Sequence, residues 1–373
     1  MIQSKTREIQ VGTIIIGGVQ PVVLQSMTAT KTTNIVATAE TCRRLTDAGA
    51  GIVRVAVDTQ QDAAALREIR KRTTANLSVD LQENYRLAEF VAPYVDKIRY
   101  NPGHLHHAEP EISWQKKVEW IVEIARKHDC ALRIGVNCGS LDLSNTGNDS
   151  QFNGTLGKAL ESALQHADFI DSLGFQRFCV SIKSSDPATV ISANRRFASL
   201  RYDIPLHLGL TEAGMPPEGV MKSRLALEPL LAEGIGNTLR VSLTVSNERK
   251  QEEIEAGKLI LRNAQQGKIL TTADWTPDRL NIISCPSCAR VENDRFVALA
   301  QQVREATRFM KDIPLTVAVM GCRVNGPGET DHADIGLWCG AKSVNLKRGT
   351  CLLGTFSYDE IVQKLLRELE QFQ

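Results

Sequence analysis

The chain has almost no net charge: 44 Lys+Arg stand against 43 Asp+Glu over 373 residues, a formal +1. With no basic or acidic excess, the overall balance advertises neither a nucleic-acid nor a membrane surface, so any electrostatic function must be local. Long apolar runs are also missing. The candidate near the N-terminus, VGTIIIGGVQPVVLQ (11–25), is broken by glycines, a glutamine and a proline. That suits a hairpin or strand and excludes a signal or spanning helix, so a soluble cytoplasmic protein is expected. There is no low-complexity tract and no repeat at a solenoid period. The nine cysteines are an odd set at irregular spacing, which argues against a disulfide framework and for reduced thiols, some with a metal role.

What is present is an alternation. Short β-branched runs, PVVLQSM (21–27), GIVRVAV (51–57), NLSVDL (76–81), DKIRYN (96–101), ALRIGVN (131–137), RFCVSIK (177–183), PLHLGLT (205–211) and NTLRVSL (237–243), are separated by segments with apolar residues at i, i+3 and i+4. Eight strand–helix units predict a TIM (β/α)8 barrel, with a doubly wound sheet as the competing arrangement. Past residue 247 a charged amphipathic helix ends at Gly267, and TTADWTPDRL (271–280) has no periodicity and reads as a linker. The expected division is a barrel domain over 1–268 and a small α+β domain over 269–373, since the chain exceeds what one core usually supports.

Strand side chains alternate faces, so parity tests the barrel interior. Arg99 shares its face with Asn101, Arg133 with Asn137, Ser181 with Lys183, His207 with Thr211 and Arg240 with Ser242, while Arg54 is a single cation between apolar neighbours. A barrel normally fills its lumen with Val, Ile and Leu. Four arginines and a lysine in that position are costly to desolvate unless an anion answers them, and the planar guanidinium fork fits phosphate oxygens, so a phosphate or diphosphate ligand is expected at the mouth. Any one of these cations could instead be a strand-end partner of Asp58, Asp80, Asp186 or Glu212. Glu212, in LTEAG after the seventh strand, is the candidate general acid or base, with His207 next.

CPSC (285–288) is a C-x2-C, compatible with zinc, a redox dithiol or iron–sulfur. A structural zinc site needs a second pair of ligands, and no later C-x2-C or H-x3–5-H follows. Cys322, in the Gly/Pro-rich loop GCRVNGPGE (321–329), is a better third thiolate for a cubane cluster. Cys339, Cys351 or Glu329 could be the fourth ligand. HLHH (104–107) follows NPG and is read as a solvated turn, and Cys42, Cys130, Cys138 and Cys179 as small buried side chains.

QSMTATKTTN, IVRVAV, KIRYNPG, LRIGVNCGSL, VSIKSSD, LHLGLTEAG, LAEGIGNTLRVSL, SCPSC and GCRVNGPGE, in this order and across nearly the whole chain, closely resemble the 4-hydroxy-3-methylbut-2-en-1-yl diphosphate synthase family. The resemblance implies the compact bacterial form: a TIM barrel joined to an α+β domain holding one [4Fe-4S] cluster. It implies a homodimer in which one subunit's cluster faces the other's barrel, with flavodoxin or ferredoxin as reductant. The implied reaction opens 2-C-methyl-D-erythritol 2,4-cyclodiphosphate reductively with loss of water. Carried over, the cluster ligands would be Cys285, Cys288, Cys322 and Glu329. The cyclodiphosphate would be held by Arg54, Arg99, Arg133, Asn137, Lys183, His207, Arg240 and Ser242, with Glu212 donating a proton. The family's third strand usually continues Asp-Ile-His, whereas here it is Asp80-Leu81-Gln82, so a histidine from that strand is missing.

Overall fold

The computed structural model describes residues 6–81, 83–141, 154–270, 280–310 and 313–372; Gln82 lies outside them, as does most of the expected linker. An antiparallel hairpin of β1 (Ile9–Val11) and β2 (Ile14–Ile16) comes first, where the sequence predicts hairpin or strand structure. Its buried Ile9, Val11 and Ile16 pack with Ile52, Ala131 and Cys179, closing the end of the barrel opposite the strand C-termini.

The barrel strands are β3 (Val23–Met27), β4 (Ile52–Val57), β5 (Leu77–Leu81), β6 (Lys97–Tyr100), β7 (Ala131–Asn137), β8 (Phe178–Lys183), β9 (His207–Leu208) and β10 (Thr238–Leu239). All neighbours pair in parallel, in the order β8-β7-β6-β5-β4-β3-β10-β9, and a parallel bridge from Val180 to Leu206 joins the two ends. Each predicted strand is therefore present, although β9 and β10 pair over only two residues. The chain beyond them carries Thr211, Glu212, Arg240 and Ser242 to the mouth.

Helices α1 (Ile35–Asp47), α2 (Gln60–Arg70), α3 (Ala88–Val91), α4 (Trp114–Lys127), α5 (Gly154–Ser172), α6 (Pro187–Leu200), α7 (Glu218–Ala232) and α8 (Gln251–Gln266) surround the sheet. The starts of α1, α2, α4 and α6 are capped by side chains, as at Thr59, whose hydroxyl accepts from Asp62 N while the Asp62 carboxylate accepts from Thr59 N. The α8 helix stops at Gly267, as its amphipathic pattern predicts.

A second apolar core belongs to the C-terminal sheet of β11 (Asn281–Ser284), β12 (Thr316–Met320), β13 (Ile335–Cys339), β14 (Ser343–Arg348) and β15 (Cys351–Ser357). The first three strands are parallel and the last two antiparallel. Helices α9 (Arg295–Ala306) and α11 (Ile361–Leu369) turn apolar faces inward, with Phe296, Leu299 and Val303 buried on the first and Ile361, Leu365 and Leu369 on the second. Two elements differ from expectation. The edge strand β15 was not anticipated, because most of its residues are exposed or half-exposed and it lacks the period-two pattern of a half-buried strand. The GPGE segment, expected as loop, forms helix α10 (Gly326–His332), with Pro327 in the first turn where its missing N–H costs nothing.

Gly321 precedes Cys322 at the end of β12, where an added Cβ would stand 2.6 Å from the buried Phe296 ring. Gly321→Ala should therefore overpack the C-terminal core and lower stability by about 1–3 kcal/mol. Urea unfolding would measure the loss; an unchanged midpoint would mean that the Phe296 ring yields freely.

Candidate active site

The C-terminal unit sits on the mouth of its own barrel. Ser284 of β11 forms a parallel bridge with Ala213, its N–H donating to Glu212 O at 3.4 Å. The Thr244 hydroxyl donates to Cys285 O at 3.0 Å, and Lys31 Nζ donates to Ala289 O and Val291 O at 2.8 and 2.7 Å. Arg290, two residues past CPSC, reaches into the barrel. Its Nε donates to Asp58 at 3.1 Å, its Nη1 to the Asp80 carboxylate at 2.8 Å and its Nη2 to Asp80 O at 3.0 Å. These contacts seat the three cysteines on the barrel of the same chain.

The cavity between the two units is lined by Arg54, Arg99, Arg133, Lys183, Arg240 and Arg290, six cations, against the carboxylates of Asp80 and Glu212. Asn137, Ser181 and Ser242 lie among them, and Cys285, Cys288 and Cys322 face them from the other side. Asp80 accepts from Arg99 Nη1 at 2.8 Å as well as from Arg290. Burial pushes the Asp80 carboxyl up, but the charges of Arg99, Arg54, Arg290 and Arg133 outweigh it and hold the group well below the usual carboxylate range.

One carboxylate does not answer all the cations. Arg54 lies 3.9 Å from Asp80 and donates instead to the Met27 thioether at 3.2 and 2.9 Å. Among the described residues Arg133 Nε and Nη1 have no hydrogen-bond partner, and neither do Arg240 Nε and Nη2. Glu253 is 3.9 Å from Arg240 Nη2, close enough for charge but too far for a hydrogen bond. Burial pushes Lys183 well below its usual value, and four neighbouring arginines, led by Arg133, push the same way. Buried N–H donors without acceptors cost free energy that an anion's oxygens would recover.

Glu212 stands at φ 49°, one of four non-glycine residues at positive φ among the described residues; Ser287, inside CPSC, is another at 51°. A side chain in this region is strained and persists only where its surroundings impose it, often at functional sites. Asn325 Nδ2 donates to Glu212 Oε1 at 2.8 Å. Burial raises the Glu212 carboxyl, partly opposed by the Thr211 hydroxyl, the Asn325 amide and the Arg240 charge. Near neutral pH it is thus better placed than an exposed glutamate to hold a proton.

Cys285 donates to Cys322, and that hydrogen bond, helped by the backbone N–H groups of Asn325 and Val324, overcomes burial and draws the Cys322 thiol down to about 7. Three thiols, one already favouring thiolate, form a soft donor set suited to iron–sulfur or zinc. Glu329 does not line this cavity, although its carboxyl meets that of Glu212. It lines a neighbouring cavity of about 310 Å3 with Lys222 and His332, and its Oε2 accepts from Ser185 Oγ at 3.1 Å. Burial, with the Glu212 charge adding to it, raises the Glu329 carboxyl to about 8. Its helix packs backbone to backbone on the turn after β7, since a Cβ at Gly328 would stand 2.2 Å from Gly139 O. Of the two other thiols proposed as fourth ligands, Cys339 is buried in β13 with its Sγ toward Leu337 O, and Cys351 is exposed on β15. Neither lines the cavity.

His207 does not reach the cavity either. It is buried a layer deeper, with Nδ1 2.7 Å from Thr238 Oγ1, so the parity rule found its face but not its depth. Arg290, Asn325, Ser185 and Lys31 were missed by sequence reasoning; only Arg290 carried a signal, a lone cation beside CPSC. HLHH is not a solvated turn throughout, because His104 is 6% exposed.

Two family models match the chain: GcpE TIM-barrel domain over residues 6–258 and GcpE protein C-terminal domain over 281–371. A Rhodopirellula baltica protein described as 4-hydroxy-3-methylbut-2-en-1-yl diphosphate synthase (flavodoxin) is 55% identical over 99% of this chain and 96% of its own length. One of the same description from Persephonella marina is 41% identical over 99% and 98%. Among solved structures, dihydropteroate synthase from Stenotrophomonas maltophilia overlays with a TM-score of 0.50 at 11% identity, covering 70% of this chain and 98% of that one, a likeness of fold alone.

Asp80→Asn removes the shared counter-charge while Arg54, Arg99 and Arg290 stay buried, so the ligand-free protein should lose about 3–5 kcal/mol in urea unfolding. Because the native carboxyl lies below its unfolded value of about 4, its contribution is fully present above that pH and disappears as pH falls toward the lower folded value. The gap between native and variant stability should therefore narrow only under acid conditions, and equal stability at pH 7 would show that Asp80 is not the counter-charge.

Proposed function

The chain belongs to the GcpE family, and from that premise we propose that it converts 2-C-methyl-D-erythritol 2,4-cyclodiphosphate to (E)-4-hydroxy-3-methylbut-2-en-1-yl diphosphate, by two-electron reductive ring opening and dehydration in the methylerythritol phosphate route to isoprenoids. The observation that carries this reading is the facing of unanswered buried cations by three cysteines across one cavity. The cations suit a diphosphate, and the thiols suit a redox cofactor.

Cys285, Cys288 and Cys322 would hold one [4Fe-4S] cluster, with Glu329 as the fourth ligand, an oxygen donor that iron releases more readily than sulfur. The cluster would supply electrons singly and a Lewis-acidic iron. Everything else falls to the chain. Arg133 and Arg240 offer the diphosphate their unpaired N–H groups, and Arg54, Arg99 and Lys183 add charge. Asn137 and Ser242 lie within the same wall and orient the ring by hydrogen bonding. Glu212, its carboxyl raised and its Oε1 fixed by Asn325, donates a proton to the oxygen that leaves from C3 as water. His207 would act only indirectly, by supporting the layer beneath the arginines.

Two electrons and two protons balance the reaction, and the relatives' description supports flavodoxin as the donor; ferredoxin is the alternative. A cytoplasmic location is part of the proposal, and no helix among the described residues is long and apolar enough to cross a membrane. So is a division of the chain between 268 and 269. We further propose a homodimer. Mixing Arg240→Ala with Cys322→Ser protein separates its two arrangements: partial recovery of turnover if sites form between subunits, as the family resemblance implies, and none if each chain completes its own site.

Anaerobic turnover with a strong one-electron donor tests the activity, with the allylic diphosphate as the product to be found. Glu212→Gln should keep its iron and sulfide while kcat falls by about 10^2 to 10^4. Stoichiometric zinc without sulfide, or no product from an iron-loaded protein, would refute the reading.

A further inference from the structure

The rim of the barrel mouth carries a second group of ligand-type side chains, outside the cysteine cavity. Glu83 follows β5 and His104 follows β6, and these strands are neighbours with Leu81 opposite Tyr100. After β6 the chain enters two successive turns, His104 N–H donating to Asn101 O and His107 N–H to His104 O, so the two histidines stand one turn apart. Their ring centroids are 4.8 Å apart, and one ligand atom from each of Glu83, His104 and His107 lies within 4.8 Å of the others. His106 packs edge-on against His107 at 4.2 Å and restrains that ring. His104 is buried, Glu83 is half-buried and His107 is exposed, so the group opens to solvent on one side.

We propose that Glu83, His104 and His107 form a site for a divalent transition ion, taken by zinc(II). Two imidazoles and one carboxylate are the donor set of three-ligand zinc sites that leave a fourth position for water. Magnesium and calcium are poorly served, because they prefer oxygen donors. The site also touches the closure of the cysteine-bearing unit. Arg323, next to Cys322, has its Nε 3.6 Å from Glu83 Oε1 and its Nη2 3.5 Å from Asp58. Zinc on Glu83 competes with Arg323 for that carboxylate, so metal binding weakens one tie between the two units.

The test is equilibrium dialysis of the anaerobic, iron-loaded protein against zinc chloride, counting zinc and iron in the same samples. The native protein should take up one zinc per chain without losing iron. His107→Ala, at an exposed position that folding tolerates, and Glu83→Gln should each weaken uptake by about tenfold or more. Arg323→Ala should tighten it, because the competing guanidinium is gone. Zinc uptake that is equal in the native protein, His107→Ala and Glu83→Gln, or that displaces iron one for one, overturns the proposal. The comparison among variants reads this site whatever occupies the cysteines, so its failure is distinct from failure of the proposed reaction.

Discussion

Asp80 is a single carboxylate shared by two arginines that belong to different units, Arg99 of the barrel and Arg290 of the C-terminal unit, each at 2.8 Å. Buried charges are tolerated only when paired, and breaking such a pair costs far more than a surface ion pair contributes. The same ion group therefore steadies the lumen and draws CPSC onto the mouth. Because Asp80 is occupied, the remaining cations are left to a ligand. Arg133 and Arg240 show this most directly, each with two buried guanidinium nitrogens unpaired among the described residues.

Much of this arrangement could be read from the sequence, for a geometric reason. A strand alternates its side chains whatever its surroundings, so the parity of Arg54, Arg99, Arg133, Lys183 and Arg240 was enough to put them on one face, and all five line the cavity. Depth along the strand is not periodic. His207 shares parity with Thr211, yet it is held below by Thr238 while Thr211 reaches the mouth. Contacts between the two units were invisible for a different reason. Arg290 and Asp80 are 210 positions apart, and nothing local in either segment announces the pairing.

The C-terminal unit shows tertiary packing overriding local signal. Gly326, Pro327 and Gly328 look like a loop in isolation. They start a helix because α10 lies on β13, where an added Cβ at Gly336 would stand 2.6 Å from the Thr330 side chain, and against the turn after β7. The helix brings Glu329 against Ser185, whose hydroxyl donates to its Oε2 at 3.1 Å, and against the Glu212 carboxyl. The strained backbone at Glu212 also lies where the two units meet, since Ser284 N–H donates to its carbonyl and Asn325 to its side chain.

The central claim is that the unanswered guanidinium groups in the barrel mouth exist to hold a diphosphate. Calorimetric titration of the cyclodiphosphate into native and Arg240→Ala protein tests it most directly. Losing hydrogen bonds from a charged donor should cost about 1.5–3 kcal/mol, so affinity should fall by about ten- to a hundredfold. Equal affinity in the two proteins would contradict the account.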